Sequence, residues 1–341
     1  MNLPDYAFLS APLWLVTLLH WATLTLHFIC MNFFVGGIIL VLFGGFGDRW
    51  NNPTVMKFVK LFPSAMAATV SFGVAPLLFV QLVYPKQVYS ASIVSGWLWL
   101  LIIAVLIAAY YFLYGSAFAK ESARSRIGTY LAIALLGFVY VSFVYSSVFS
   151  LAERPDLYQL LYSGHQSGMI VNPDIGTYIF RWLHMIVGAI TVGAFFVGWI
   201  GRDDEVAYRV GKRFYLYGMI VGMILGLVYL FTLGEYLVPL MRHPAIWLLL
   251  VGIILSLASL HFFFKKKFLS AGLMLVVSLV TMVILRHSLR LILLNGFFDP
   301  ATIPVRPQWS IFIIFLVMFV VALALIWYMF KLFFAGAEKK A

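Results

Sequence analysis

Apolar residues run in long stretches along this chain of 341 residues, and short polar joints separate the stretches. A helix needs about 20 apolar residues to cross the hydrocarbon core of a bilayer. The longest polar joint, residues 153–177, is too short to hold a soluble domain. We therefore predict an all-α integral membrane bundle in which residues 1–341 form one membrane-embedded domain. Its nine transmembrane helices are predicted at residues 14–45, 61–84, 92–114, 127–151, 178–200, 214–238, 245–263, 269–294 and 309–331.

Composition and charge support that class and orient the helices. The chain is 64% hydrophobic and only 10% charged, which excludes a soluble globular protein. Most of its basic residues, including the run Lys265 to Lys267, fall in alternate joints and at the C-terminus, as the positive-inside rule expects of cytoplasmic segments. We therefore predict a multi-pass protein of the bacterial inner membrane, with a periplasmic N-terminus and a cytoplasmic C-terminus. The net charge of +11 indicates topology and not nucleic-acid binding.

Five of the seven histidines fall at one predicted depth, the outer edge of the bundle, when about 20 residues are counted from each cytoplasmic charge. They are His20, His27, His184, His243 and His287. Imidazole is costly near hydrocarbon unless something binds it, and it is a common axial ligand of haem iron. The single cysteine, Cys30, excludes a covalent haem motif and an iron–sulfur ligand set. Any haem is therefore expected to be held non-covalently, by histidine or methionine.

His184 is the strongest ligand candidate in the sequence. It lies one turn inside the outer edge, on a helix that also carries Gly188, Gly193 and Gly198. Small residues let a flat macrocycle or a neighbouring helix approach closely. Arg181, one turn outward, would suit a haem propionate. The alternative is a structural histidine in a helix interface.

His27 is the second candidate, because Gly36 and Gly37 follow it on the same helix. Helix packing explains these glycines as well as a macrocycle does. His20, seven residues earlier, is expected to be an ordinary hydrated histidine in the external interface. His261 lies beside the cytoplasmic lysine run and is expected to be an interfacial side chain.

The short turn between spans 6 and 7 brings several reactive groups together. Met241 and His243 are both candidate axial ligands. Glu235 and Arg242 would handle a quinone headgroup or take its proton. The alternative is that this turn is only an interfacial cap.

Span 8 ends with a third group of candidates, Arg286, His287 and Arg290. Arginines four residues apart share a helix face, and this pair would suit propionates or a quinone headgroup. An interfacial pair that extends its charges toward water is the alternative for the arginines.

The nine spans, their predicted orientation and several short motifs resemble subunit I of the cytochrome bd quinol oxidases. The segments that carry the resemblance are His27-Phe28 with the stretch to Gly37, Phe72-Gly73-Val74 with Gln81, His184, Gly234-Glu235 and Met241-Arg242-His243. In topology the resemblance covers most of the chain, but its motifs are few, so it implies a distant relative. It implies a b-type haem on His184 and a further haem ligand at the start of span 7.

The chain departs from that family where oxygen chemistry takes place. Gln81 stands where the family has a glutamate, no carboxylate precedes Arg286, and the long external quinol loop is missing. No carboxylate is therefore expected in the core to deliver protons to oxygen. His287, which the family pattern does not include, would face His27 and supply the second axial ligand of its haem. Such a six-coordinate haem exchanges electrons without activating a gas. Gln81 either lines the haem pocket or only forms hydrogen bonds at the membrane interface.

We therefore predict a membrane b-type cytochrome subunit that exchanges electrons between the quinone pool and a periplasmic c-type cytochrome, of the single-haem or multihaem kind. Two b haems near the outer face would carry the electrons. One would be held by His184 with His243 or Met241, and the other by His27 with His287. The subunit would belong to a quinol-oxidising or quinone-reducing complex. The alternatives are a bd-like terminal oxidase that reduces oxygen and a haem-free transporter or membrane scaffold.

Overall fold

The structure, a computed structural model, describes residues 8–164 and 166–338. Those residues are mostly helical, with short 3-10 helices at Glu121–Arg126, Gly234–Tyr236 and Pro300–Thr302. The α-helices are α1 (Leu13–Phe43), α2 (Pro53–Val83), α3 (Pro85–Val94), α4 (Gly96–Ala117), α5 (Ile127–Leu151), α6 (Pro155–Gly164), α7 (Ile175–Ile200), α8 (Glu205–Thr232), α9 (Leu237–Arg242), α10 (Ile246–Phe264), α11 (Phe268–Leu293) and α12 (Trp309–Glu338).

Nine helices in the part of the chain that the structure describes are long and apolar enough to cross a membrane. They are α1, α2, α4, α5, α7, α8, α10, α11 and α12, one for each predicted span. The prediction of an all-α, multi-pass membrane protein is confirmed at this level. The three remaining α-helices, α3, α6 and α9, are short and lie in the joints.

Two helices begin earlier than the hydrophobic pattern predicts. α2 begins directly after Asn52, whose side chain accepts a hydrogen bond from the backbone N–H of Val55, and proline suits the first helical position. α8 begins at Glu205, because Asp204 accepts the backbone N–H of Ala207 in the same way. These caps lie in polar sequence, so a count of apolar residues places the start of each helix too late.

The chain divides into two compact units. The larger unit contains residues 18–299, and its successive helices pair into hairpins: α4 with α5, α7 with α8 and α10 with α11. Within it, α2 also packs on α4, and α5 packs on α7. In the smaller unit, which contains residues 8–17 and 300–338 of the described chain, Leu9 and Val305 form an isolated parallel bridge. The prediction that residues 1–341 form one domain stays a prediction.

Glycine lets α1 approach its neighbours in the larger unit until the backbones touch. A Cβ atom added to Gly36 would overlap the backbone carbonyl of Ala189 in α7, and one added to Gly193 would lie 2.6 Å from the carbonyl carbon of Gly36. A Cβ atom added to Gly37 would lie 2.9 Å from the Phe62 ring in α2. The sequence left open whether these glycines admit a macrocycle or a neighbouring helix. In the structure all three allow close helix packing.

Gly36→Ala is expected to destabilise the bundle by about 1–3 kcal/mol, because the added methyl group has to push α1 and α7 apart. Gly176→Ala is the matched control, since a Cβ atom there meets no described atom within 4 Å and alanine favours helix. Thermal unfolding in detergent, followed by circular dichroism, should show a lower midpoint for Gly36→Ala alone. Equal midpoints for the two variants would contradict the close contact of α1 and α7.

Candidate functional site

Three histidines join neighbouring helices through the same ring nitrogen. In each, Nδ1 lies within hydrogen-bond distance of a backbone carbonyl oxygen on the facing helix. The contacts are His20 to Pro76 (3.2 Å), His27 to Thr69 (2.9 Å) and His184 to Gly222 (2.8 Å). A carbonyl oxygen can only accept, so Nδ1 carries the proton and Nε2 of the neutral ring keeps its lone pair. Metal-binding histidines have this arrangement, and it also satisfies a histidine that binds nothing.

His20 and His27 both pack against α2. Their carbonyl partners, Pro76 and Thr69, have the same spacing on α2 as the histidines on α1, but in the reverse order. The two helices therefore run antiparallel. Gly73 makes room for the second ring, because an added Cβ atom would lie 2.6 Å from Nδ1 of His27. His20 is only 7% exposed, so the expectation of a hydrated interfacial histidine is wrong. Gln81, near the end of α2, is partly exposed.

His184 lies on α7 and faces α8. Gly226 leaves room for its ring, since a Cβ atom there would lie 3.2 Å from Cε1 of the imidazole. One turn further along the same face of α7, a Cβ atom added to Gly188 would meet no described atom within 4 Å. Gly198, by contrast, is in contact with the Phe263 ring of α10. Of the three glycines that follow His184 on α7 and were named with it, Gly188 is the one with open space beside it.

The structure places His287 close to His20 and Trp21. The rings of His287 and Trp21 meet edge to face, with centroids 5.5 Å apart, and His287 and Arg290 both lie near His20. Nδ1 of His287 is buried and has no hydrogen-bond partner among the described residues. The ring contacts of the described chain do not join His287 to His27, so their predicted pairing on one haem stays a prediction.

The candidates between α8 and α10 lie on a largely exposed turn. Glu235 in the 3-10 helix and Arg242 at the end of α9 are both exposed. Met241 is 56% exposed, and Nδ1 of His243 accepts a hydrogen bond from a backbone N–H two residues further on. That bond is typical of a capping side chain. The role of Met241 or His243 as second ligand to a haem on His184 stays a prediction.

The most strongly bonded polar group, the carboxylate of Glu153, was not among the predicted site residues. It lies just after α5, is 4% exposed and has three arginines around it. Nitrogen atoms of Arg286 and Arg290 on α11 lie 2.5 and 3.2 Å from its oxygens, and one of Arg181 on α7 lies at 3.5 Å. Arg181 also donates to the carbonyl oxygen of Ser146 at 2.7 Å. The three arginines predicted to bind propionates or a quinone are thus paired with a carboxylate of their own chain.

Helix geometry and burial explain this cluster. Arg286 and Arg290 are one turn apart on the same face of α11, and Arg181 lies near the start of α7. Burial by itself raises the pKa of the Glu153 carboxyl, but Arg286, Arg290 and Arg181 together hold that pKa below its ordinary value. The expectation that no carboxylate lies in the core is therefore wrong. A glutamate in a polar joint does not signal burial. The three arginines were predicted to bind propionates or a quinone, groups that do not belong to the chain.

In sequence comparisons, no protein family and no characterised protein matches this chain. Among the described residues, no group of three or more histidine, cysteine, aspartate or glutamate side chains is placed to hold a metal ion.

Glu153→Gln is expected to lower the free energy of unfolding by about 3–5 kcal/mol, because it leaves three arginines in the cluster without their anion. Glu205→Gln, which removes the exposed pair with Arg209, should cost less than about 1 kcal/mol. Chemical denaturation in detergent micelles measures both losses. Two equally small losses would show that the buried cluster contributes no more than a surface pair.

The same cluster predicts a pH dependence. The pKa of Glu153 is lower in the folded protein than in the unfolded chain, where it is near the ordinary value of 4.5. The stabilisation is therefore complete above pH 4.5 and is lost as the pH falls through the lower, folded pKa. The stability difference between wild type and Glu153→Gln should be constant near neutral pH and should shrink below pH 4.5. A difference that persists unchanged in more acidic buffer would contradict an ionised Glu153.

Proposed function

We propose that this chain is the membrane b-type cytochrome subunit of a quinol-oxidising or quinone-reducing complex. It would exchange electrons between the quinone pool and a c-type cytochrome on the side of the N-terminus, which the distribution of lysine and arginine favours as the periplasm. The observation that carries the proposal is the set of three imidazoles whose Nδ1 is bound to a carbonyl oxygen and whose Nε2 keeps its lone pair. The resemblance to cytochrome bd subunit I leads to the same expectation.

His184 fits a haem best among the histidines. Its Nδ1 contact with Gly222 fixes the rotation of the ring, as carbonyl partners do for metal-binding histidines. The open space beside Gly188, on the same helix face, leaves room for a flat macrocycle. Met241 or His243 remains the proposed second ligand.

A second haem would be held from α1. His27 with His287 is the pair predicted from sequence, and His20 with His287 is the pair whose imidazoles lie close enough to interact electrostatically. When bound, haem b would supply reversible one-electron transfer, at a potential that the protein's ligands and burial tune. Two imidazoles on one iron leave no open position, so these residues would favour electron transfer over oxygen binding.

A haem-free membrane scaffold is the second candidate. Each hydrogen bond from Nδ1 meets the need of a buried imidazole for a partner, whether or not the ring also binds a metal. His20 and His27 thereby join α1 to α2 without any ligand. A terminal oxidase has less support, because the buried carboxylate of Glu153 is held ionised by arginines and is therefore a poor proton donor.

The proposal predicts a low-spin b-type spectrum for the purified protein. Dithionite-reduced minus oxidised spectra should show sharp bands that carbon monoxide does not shift, because two protein ligands on each haem would leave no position for the gas. His184→Ala should lose one haem. His261→Ala is the matched control, since that histidine is exposed at the end of α10, and it should keep the wild-type haem content.

Each other spectral result has a definite meaning. A carbon monoxide shift, or a red band of the chlorin type, would favour the oxidase. Protein made with ample haem that shows no haem absorbance would contradict the cytochrome and favour the scaffold. Loss of one haem in His20→Ala or in His27→Ala would identify the ligand on α1.

A further inference from the structure

Of the eight buried side-chain nitrogen and oxygen atoms that have no hydrogen-bond partner in the described chain, four lie on residues around His287 and Arg290. They are Nε1 of Trp21, the hydroxyl of Tyr84, Nη1 of Arg286 and Nδ1 of His287. The indole and guanidinium nitrogens can only donate, a phenol donates readily, and Nδ1 of His287 donates in the tautomer that leaves Nε2 free. Unpaired donors are costly inside a protein, so four of them in one region call for an explanation such as a bound ligand.

Arg290 connects these groups in space. Its guanidinium lies over the ring of Tyr84, 5.5 Å from the centroid, and donates to Glu153 at 3.2 Å. Its charge acts on His287, three residues away on α11, and Arg286 binds the same carboxylate. The unpaired atoms therefore belong to one region of the larger unit, where the start of α1 meets the ends of α2 and α11.

Separate oxygen acceptors are the partners that these atoms would suit. Glu153 already takes one nitrogen from each of three arginines, and the four unpaired atoms come from four different side chains. Carboxylates and phosphates prefer the two-pronged fork of one arginine, which these atoms do not form. Burial raises the pKa of the Tyr84 phenol, so its hydroxyl keeps its proton and remains a donor. Separate carbonyl or hydroxyl oxygens match such donors.

The walls of this region are aromatic. Tyr84 is 3% exposed, and its ring meets that of Phe298 edge to face with centroids 5.7 Å apart. Trp21 meets His287 in the same manner. A flat ring that carries two oxygens and an apolar tail would suit both these walls and the bilayer.

We propose that Trp21, Tyr84, Arg286 and His287 bind the headgroup of a quinone. This inference rests on the proposed function and locates its quinone site here, instead of at the exposed turn after α8. An imidazole has two nitrogens, so His287 can serve the headgroup through Nδ1 and a haem through Nε2. The headgroup would then lie beside the haem that His20 and His287 are proposed to hold.

Isothermal titration calorimetry in lipid nanodiscs tests the site, with a short-chain naphthoquinone as the probe. Tyr84→Phe removes only the unpaired hydroxyl, and Trp21→Phe removes the unpaired N–H while keeping an aromatic ring, so both variants should fold. Each should raise the dissociation constant about tenfold, the change expected from one lost hydrogen bond. Tyr215→Phe is the matched control, because that buried hydroxyl bonds to Ser259, and it should leave the dissociation constant unchanged.

Wild-type affinity in both Tyr84→Phe and Trp21→Phe would overturn the site, and so would a wild-type protein that binds no quinone. An equal loss of affinity in Tyr215→Phe would also count against it. An optical spectrum of each sample separates this outcome from that of the proposed function. Quinone binding that depends on Tyr84 in a haem-free sample would support the site while contradicting the cytochrome.

Discussion

A bilayer interior offers no water to polar groups, and this constraint explains the buried polar contacts that join the helices. A buried ion without a partner costs several kcal/mol. A marginally stable protein would not remain folded with three such unpaired ions. The segment after α5 therefore folds inward and brings Glu153 to Arg181, Arg286 and Arg290. That contact links α7 and α11 to the end of α5 within the larger unit.

Hydroxyl groups meet the same constraint between α8, α10 and α11. Tyr215 bonds to Ser259 at 2.6 Å, and Ser259 donates to the backbone carbonyl of Ala271 at the same distance. Ser256 and Ser278 form a second link between α10 and α11. The histidines of α1 and α7 do the same for the α1–α2 and α7–α8 contacts. Where α1 crosses α7, glycine replaces polar side chains, and close backbone packing holds the helices instead.

The two proposals come from the two ways in which a polar group can remain open to a ligand. The histidines have one nitrogen bound and the other left basic, which suits an axial ligand to haem iron. The groups around Arg290 are donors that lack an acceptor, which suits the oxygens of a quinone headgroup. The two sets meet at His287, so electron donor and acceptor would lie side by side.

Local sequence was enough to predict nine spans, because crossing a bilayer depends on the apolar content of one segment at a time. It also predicted a depth for His184 and Arg286, since depth is counted along a single helix, and that depth stays a prediction. Which side chains meet depends on the rotation of each helix and on its neighbours, and neither is encoded locally. Glu153 was therefore missed as the partner of the arginines, and the closeness of His287 to His20 was not foreseen. Packing of distant segments brought those groups together.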